Sequence, residues 1–196
     1  MLLPEIILFL SIIIWLFPPF RQYKGKFFFY FLILALLDPL IDFIFLFASV
    51  NTIRIYSVAD LFMIISLINL RKLQKYLPFI LPITVIVIWF SSFLNIRFLN
   101  FFIVIEHLVI LIIFLKMTIV DIYDSMRINL FYIMLDLYLS SLIFKFLANL
   151  IDLRFGLLYF YLTSAFEILI GIFFILYNEE NSPKVKLISR TDVIGQ

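Results

Sequence analysis

Residues 99–120 read LNFFIVIEHLVILIIFLKMTIV, an apolar stretch interrupted by Glu106, His107 and Lys116. A helix needs roughly 20 apolar residues to cross the ~30 Å hydrocarbon core of a bilayer. The stretch therefore predicts a membrane-spanning helix, with Lys116 towards one end and Glu106 and His107 inside. Ionisable side chains at that depth have to face other protein or water, so the same stretch also indicates a polar site.

Six further stretches have the composition of membrane spans. The chain is 65% hydrophobic and 14% charged, with a mean hydropathy of +1.19, and is therefore far more apolar than a soluble domain. We expect an all-α polytopic membrane protein over residues 1–177, a bundle of about seven transmembrane helices. The predicted spans are Leu2–Phe17, Phe27–Phe47, Ile55–Leu70, Leu77–Leu94, Leu99–Val120, Leu130–Asn149 and Leu157–Tyr177.

The basic residues indicate the orientation of the bundle. Only Arg54, Arg97 and Arg154 belong to one side, whereas the other carries eleven: Arg21, Lys24, Lys26, Arg71, Lys72, Lys75, Lys116, Arg127, Lys184, Lys186 and Arg190. By the positive-inside rule, the side with eleven basic residues is cytoplasmic. The amino terminus is therefore expected on the outer side of the plasma or cytoplasmic membrane. Residues 178–196 are expected to form a polar cytoplasmic tail, either mobile or a docking segment for a partner.

The content of cysteine and histidine excludes several chemistries. The chain has no cysteine and one histidine, His107. Disulfides, zinc–thiolate sites, iron–sulfur clusters, bis-histidine haem and three-histidine zinc sites are therefore excluded within one chain. No basic patch with interleaved aromatic residues indicates a nucleic-acid groove, and no cofactor is expected. The 26 phenylalanines are expected mainly to provide lipid-facing bulk.

Ionisable residues inside the spans are the candidates for a binding site. Each costs on the order of 2.5 to 3.5 kcal/mol near the bilayer centre, so each should face other helices or water. A rise of about 1.5 Å per residue places several of them in one layer in the outer half, while Asp136 falls in the inner third, within reach of Arg127 or the cytoplasmic interface. The candidates are Asp38, Asp42, Asp60, Glu106, His107, Lys145 and Glu167.

Carboxyl groups outnumber cations in these spans. Apart from Lys116, near the end of its span, Lys145 is the one lysine against six carboxyl groups, those of Asp38, Asp42, Asp60, Glu106, Asp136 and Glu167. Some of these groups are therefore expected to hold a proton or to be neutralised by a bound cation. Arg54 and Arg97, at the outer helix ends, are further possible partners.

Several candidates also have structural interpretations. Asp38 precedes Pro39, so Asp38 could cap a helix that restarts there. Asp42 could form a hydrogen-bonded contact between helices. His107 could be a neutral imidazole satisfied by a neighbouring helix, because adjacent residues such as Glu106 and His107 point about 100° apart. Lys145 could extend to the surface or pair with Glu106 or Asp60.

The last predicted span carries a stripe of polar and small residues at helical spacing, which indicates the face that packs inward. Of the four glycines in the sequence, Gly171 is the one that lies well inside a predicted span. A close backbone approach or ligand access is therefore expected beside Glu167. The stripe comprises Phe160, Ser164, Glu167, Gly171 and Asn178.

Asp121 and Asp124 lie three residues apart in the predicted cytoplasmic connection, at the spacing of a magnesium–diphosphate motif. A solvated turn is the alternative interpretation, since that chemistry requires a second acidic motif.

Three functional hypotheses follow. The chain is a sensor or transporter that recognises a small polar or cationic solute or protons; an accessory subunit whose buried charges meet a partner's helices; or an intramembrane enzyme acting on a lipid or isoprenoid.

Overall fold

A computed structural model describes residues 3–47, 52–67, 78, 82, 85–86, 93–151, 153 and 156–187. This part of the chain is mostly helical, and it contains four helices long and apolar enough to cross a membrane: Pro4–Arg21, Ile96–Ser125, Leu130–Leu150 and Leu158–Leu176. The apolar helices indicate an all-α, multi-pass membrane protein. The predicted fourth span, Leu77–Leu94, lies almost wholly outside the described residues.

Two further helices accompany those four, and a short helical turn follows the first. In chain order the helices are α1 (Leu3–Trp15), α2 (Pro18–Arg21), α3 (Phe28–Phe47), α4 (Thr52–Ser66), α5 (Ile96–Ser125), α6 (Leu130–Leu150) and α7 (Leu157–Leu176). Helix α3 has 20 residues, of which Phe28–Ile41 form an apolar helix within the fully described part, and α4 has 15 residues. The described residues therefore account for four crossings by length and composition.

The helix α3 continues through Pro39 without a break. A proline inside a helix removes one backbone hydrogen bond but does not have to end the helix when neighbouring helices hold it. The interpretation of Asp38 as the cap of a restarting helix is therefore wrong, because Asp38 lies in the helix interior.

The longest helix, α5, begins at the N-cap Asn95, whose side chain accepts a hydrogen bond from the Phe98 backbone N–H at 3.0 Å. It ends at Met126, which adopts a left-handed conformation with φ of 51°. Its 30 residues span about 45 Å at 1.5 Å per residue, which exceeds the ~30 Å hydrocarbon core. One end of α5 therefore reaches the depth of the lipid headgroups.

A two-stranded antiparallel ribbon connects the end of α5 to the tail. Strand β1 (Arg127–Asn129) pairs with β2 (Lys184–Lys186), an element that the sequence analysis did not predict. Further backbone hydrogen bonds join Leu130 N–H to the Pro183 carbonyl at 3.1 Å and Leu187 N–H to the Met126 carbonyl at 3.2 Å. The expectation of a mobile tail is therefore wrong for residues 178–187, and residues 188–196 lie outside the described part.

Polar side chains fasten the chain at the same end of the bundle. The buried Gln22 side-chain amide donates to the Tyr177 carbonyl at 3.0 Å, where α7 leaves carbonyl groups without helical partners. Asn129 donates to the Glu179 carbonyl at 3.0 Å, and the Tyr132 hydroxyl donates to the Glu179 carboxylate. These contacts tie α2 and the start of α6 to the tail.

The core near this end is aromatic. Its fully buried rings pack in tilted and edge-to-face arrangements, for example Phe31 against Phe174 with centroids 4.8 Å apart. The expectation that the phenylalanines mainly provide lipid-facing bulk is wrong for this group. The buried rings are Phe27, Tyr30, Phe31, Phe114, Phe131 and Phe174.

The close approach expected at Gly171 is made by α1. A Cβ atom at this position would lie 2.7 Å from Ile14 Cγ2 and 3.4 Å from Trp15 Nε1. Distances below 3.0 Å are too short for carbon atoms in contact, so any side chain here must displace Ile14 on α1. Gly171 therefore sets the separation of α1 and α7.

We expect Gly171→Leu to lower the free energy of unfolding in detergent micelles by about 1–3 kcal/mol, because the new side chain overpacks the contact with α1. Gly156→Leu is the matched control, since a Cβ atom at Gly156 meets nothing within 4 Å. Its effect should stay within about 1 kcal/mol, the scale of a changed helix cap. Equal losses in the two variants would contradict the assigned contact.

Candidate functional site

A cavity of about 420 Å³ lies between the helices. Five of the seven candidate residues line it, and each comes from a different helix of the run α3 to α7. They are Asp38, Asp60, His107, Lys145 and Glu167. The tertiary structure therefore brings these ionisable side chains around one space, and within the described residues they form pairs across helices.

Asp60 and His107 form the most deeply buried pair. The His107 Nδ1 atom lies 2.9 Å from Asp60 Oδ2 and 3.0 Å from the Ile103 carbonyl oxygen one turn earlier in α5. Both side chains are almost completely buried. This contact joins α4 to α5, in agreement with the interpretation of His107 as an imidazole satisfied by a neighbouring helix.

Lys145 and Glu167 form the second pair. The Lys145 ammonium group donates to Glu167 Oε1 at 2.5 Å, which links α6 to α7. The side chains are 27% and 15% exposed, so this pair is less deeply buried than the first. The expected partners of Lys145 were Glu106 or Asp60; that pairing is wrong because the long lysine side chain reaches the neighbouring helix α7 instead.

Asp38 has a partner on α4. The Tyr56 hydroxyl donates to Asp38 Oδ1 at 3.0 Å, and the Tyr56 ring packs edge-on against Phe146 with centroids 5.9 Å apart. Sequence reasoning missed Tyr56, because a tyrosine in an apolar span carries no charge to mark it. The cavity walls also include Ser11 and Asn149, two polar residues that the sequence analysis did not single out.

Glu106 is buried behind the cavity and is not part of its lining. Ser57 and Asp60 are polar neighbours of its carboxyl group. Within the described ranges, however, neither carboxyl oxygen has a hydrogen-bond donor in suitable geometry. Glu106 and His107 diverge as adjacent helical residues must, so only His107 reaches the cavity.

Two further carboxyl groups have other surroundings. The Thr118 hydroxyl donates to Asp136 Oδ2 at 2.8 Å, so Asp136 is held by α5 instead of by the expected Arg127. The side chain of Asp42 lies outside the described residues. Neither residue therefore adds an observed group to the cavity.

Asp121 and Asp124 lie in the last turns of α5, not in a solvated connection. In the part of the chain that the structure describes, no group of three histidine, cysteine, aspartate or glutamate residues could hold a metal ion. The two carboxyl groups therefore remain an isolated pair on a helix.

Aromatic side chains form the wall of the cavity that adjoins the buried core. The Trp15 and Tyr138 rings lie 4.5 Å apart, and Trp15 also packs against Phe174 at 6.2 Å between centroids. Trp15 and Tyr138 line the cavity, whereas Phe174 belongs to the fully buried core behind them. The polar space therefore ends where the aromatic core begins.

Comparison of the chain with protein-family models, with curated proteins and with solved structures finds no match. The chemistry of the cavity is accordingly inferred from its own residues. What the arrangement offers is three cross-helix polar pairs around a space large enough for a small molecule.

We expect Lys145→Met and Glu167→Gln each to lower the free energy of unfolding by about 1–3 kcal/mol, less than the loss for a fully buried pair because both groups are partly exposed. The double variant should lose clearly less than the sum, since neither charge is then left alone. Unfolding in mixed micelles measures the loss of free energy of unfolding for the two single variants and the double variant. Lys116→Met, at an exposed position of α5, is the control, and strictly additive losses would contradict the pair.

Proposed function

We propose that the cavity recognises a small polar or cationic solute, or protons, and that the bundle acts as a sensor or transporter. The observation that carries this proposal is the convergence of Asp38, Asp60, His107, Lys145 and Glu167 on one space. Five helices each contribute one ionisable side chain, although each such side chain is unfavourable inside a bilayer. A shared binding function accounts for their common position better than five separate structural roles.

The size of the cavity fits this proposal. Ligand sites commonly enclose about 300–1,000 Å³, and a water molecule occupies about 30 Å³. A cavity of about 420 Å³ therefore has room for a small solute together with water. The polar groups lie on several walls, so a bound solute would meet donors and acceptors on more than one side.

The charge of the walls favours a cation. Three carboxyl groups, those of Asp38, Asp60 and Glu167, face one lysine, and His107 adds a second positive charge only when it is protonated. Trp15, Tyr56 and Tyr138 place aromatic rings in the same walls, where a cation gains from the negative ring faces. An amine or another small cation would therefore be favoured over an anion.

The existing pairs suggest how occupancy reaches the helices. A cationic solute that binds Glu167 competes with Lys145, and one that binds Asp38 competes with the Tyr56 hydroxyl. Each competition loosens a link between two helices, α6 and α7 or α3 and α4. Binding would then change the relative stability of two helix arrangements, as a sensor requires.

The aromatic core beside the cavity favours recognition over free passage. A solute crossing the bundle would have to separate Trp15 from Tyr138 and then pass the core around Phe174. That core is fully buried and its rings pack closely, so it would have to rearrange during transport. A sensor needs no such opening.

The proposal includes the full topology of seven spans, with the amino terminus outside and the tail cytoplasmic in the plasma membrane. It is supported by exposed basic residues that lie towards one end of the helices: Arg21, Lys24, Lys26, Arg127, Lys184 and Lys186. Arg97 lies at the opposite end of α5 from Arg127. The unequal distribution follows the positive-inside rule.

The other two hypotheses receive less support. An accessory subunit would keep buried charges for a partner's helices, whereas Asp60 and Glu167 each have a polar partner, His107 or Lys145, within this chain. An isoprenoid-modifying enzyme would need acidic groups opposite Asp121 and Asp124, and the described ranges provide none that could complete a metal site.

We expect that, among alkali cations, ammonium, methylamines and short diamines, at least one cation raises the thermal unfolding temperature of the detergent-solubilised chain. Asp38→Asn and Glu167→Gln should each lower the apparent affinity for this cation, measured from the stabilisation, at least tenfold, because each removes one negative charge from the cavity wall. Asp124→Asn, a carboxylate outside the cavity, should leave the response unchanged.

The proposal fails if Asp38→Asn and Glu167→Gln keep the full response of the wild-type chain in correctly folded protein. Flux of the stabilising cation into proteoliposomes then separates a transporter from a sensor. A sensor binds the cation without moving it.

We expect single cysteines in this cysteine-free chain to report the proposed orientation. Arg97→Cys should react with a membrane-impermeant maleimide on intact cells, because Arg97 is exposed at the outer end of α5. Lys26→Cys, exposed at the other end, should react only after permeabilisation. The reverse pattern would show that the orientation is inverted.

A further inference from the structure

The ribbon β1–β2 lies at the surface of the membrane. Four residues, 126–129, separate the ends of α5 and α6, two helices long and apolar enough to cross a bilayer. A connection this short cannot leave the membrane surface. At about 45 Å, α5 is also long enough to place its end among the headgroups.

The register of the ribbon puts like charges opposite each other. Arg127 pairs with Lys186, and Ile128 pairs with Val185. Because alternate residues of a strand share a face, Lys184 lies on the same face as Lys186. Arg127, Lys184 and Lys186 are all exposed, so one face of the ribbon is basic and the other is apolar.

Within the described ranges, no ion pair joins a carboxylate to this basic face. The ion pairs found within the described ranges are His107–Asp60 and Lys145–Glu167, both inside the bundle. Like charges directly opposite on neighbouring strands are destabilising. An anion between Arg127 and Lys186 would convert that repulsion into two attractions, so anion binding and pairing of the tail would reinforce each other.

The surroundings favour an anion that belongs to a lipid. Tyr123 and Met126, next to the ribbon, are 82% and 60% exposed, and such apolar and aromatic side chains are typical of the membrane interface. The Arg127 guanidinium group can hold two oxygens of a phosphate at once, and a lysine adds a point charge. The cytoplasmic leaflet provides anionic phosphate-bearing headgroups at this depth.

We propose that Arg127, Lys184 and Lys186 bind the headgroup of an anionic phospholipid, with its phosphate between the cross-strand pair Arg127 and Lys186. The inference rests on the membrane-spanning arrangement proposed above, but not on the solute cavity. Lipid binding would fasten the tail, through β2, against the connection between α5 and α6.

The test uses the full chain in micelles doped with phosphatidylglycerol or with zwitterionic phosphatidylcholine, and measures thermal unfolding against lipid concentration. Phosphatidylglycerol should stabilise the chain and phosphatidylcholine should not. Each basic residue near an anionic surface contributes about a factor of five in affinity, so Arg127→Gln with Lys186→Gln should weaken the apparent affinity about 30-fold. Arg97→Gln, at the opposite end of α5, removes a single charge outside the ribbon and should weaken the apparent affinity by about fivefold at most.

A second variant separates lipid binding from folding of the ribbon. Lys186→Glu places an acid opposite Arg127, so the strands should stay paired without lipid while the response to phosphatidylglycerol is lost. An unchanged response in this variant would overturn the proposal, as would equal stabilisation by phosphatidylcholine or by inorganic phosphate alone.

The result is independent of the solute site and of the orientation. Asp38→Asn should keep the full response to phosphatidylglycerol while it loses the response to the cation panel. Micelles present the same lipid to both ends of the chain, so an inverted topology would not change the outcome.

Discussion

An ionisable side chain inside a bilayer is unfavourable unless other protein or water surrounds it, because the hydrocarbon offers neither water nor counterions. Three polar contacts among the helices α3 to α7 follow from this constraint. Asp60 meets His107, Glu167 meets Lys145, and the Tyr56 hydroxyl meets Asp38, each time across two helices. The pairs hold the helices at distances that leave a cavity between them. The pairing of polar side chains and the presence of the cavity are therefore linked in this bundle.

The bundle divides into a polar region and an aromatic region. Around the cavity, few atoms fill the space and the groups that line it can exchange partners. Beyond Trp15 and Tyr138, buried rings such as Phe31 and Phe174 fill the interior. A change of partners in the polar region can therefore shift α6 or α7 while the packed region holds their other ends.

Several features could not be read from the sequence because they depend on contacts distant along the chain. The strand Lys184–Lys186 is short and exposed, and nothing in its composition indicates that Arg127–Asn129 lies beside it. Phenylalanine is as favourable in lipid as in a protein core, so the buried position of Phe114 or Phe131 carries no mark in the sequence. The continuity of α3 through Pro39 likewise depends on neighbouring helices, since the local signals Asp38 and Pro39 favour a break.

The sequence alone determined that this is an apolar helical membrane protein, and it identified residues that bilayer energetics forbid to face lipid. Hydrophobic length and charge are local quantities, and the cost of placing a charge in hydrocarbon does not depend on the partner. Which helices adjoin is not local. Only the tertiary structure decided that Lys145 meets Glu167 and not Glu106, that Glu106 lies behind the cavity, and that Gly171 receives α1. The packing of whole helices determines which side chains meet. The periodicity of one helix indicates which of its faces points inward, but it does not indicate which helix that face contacts.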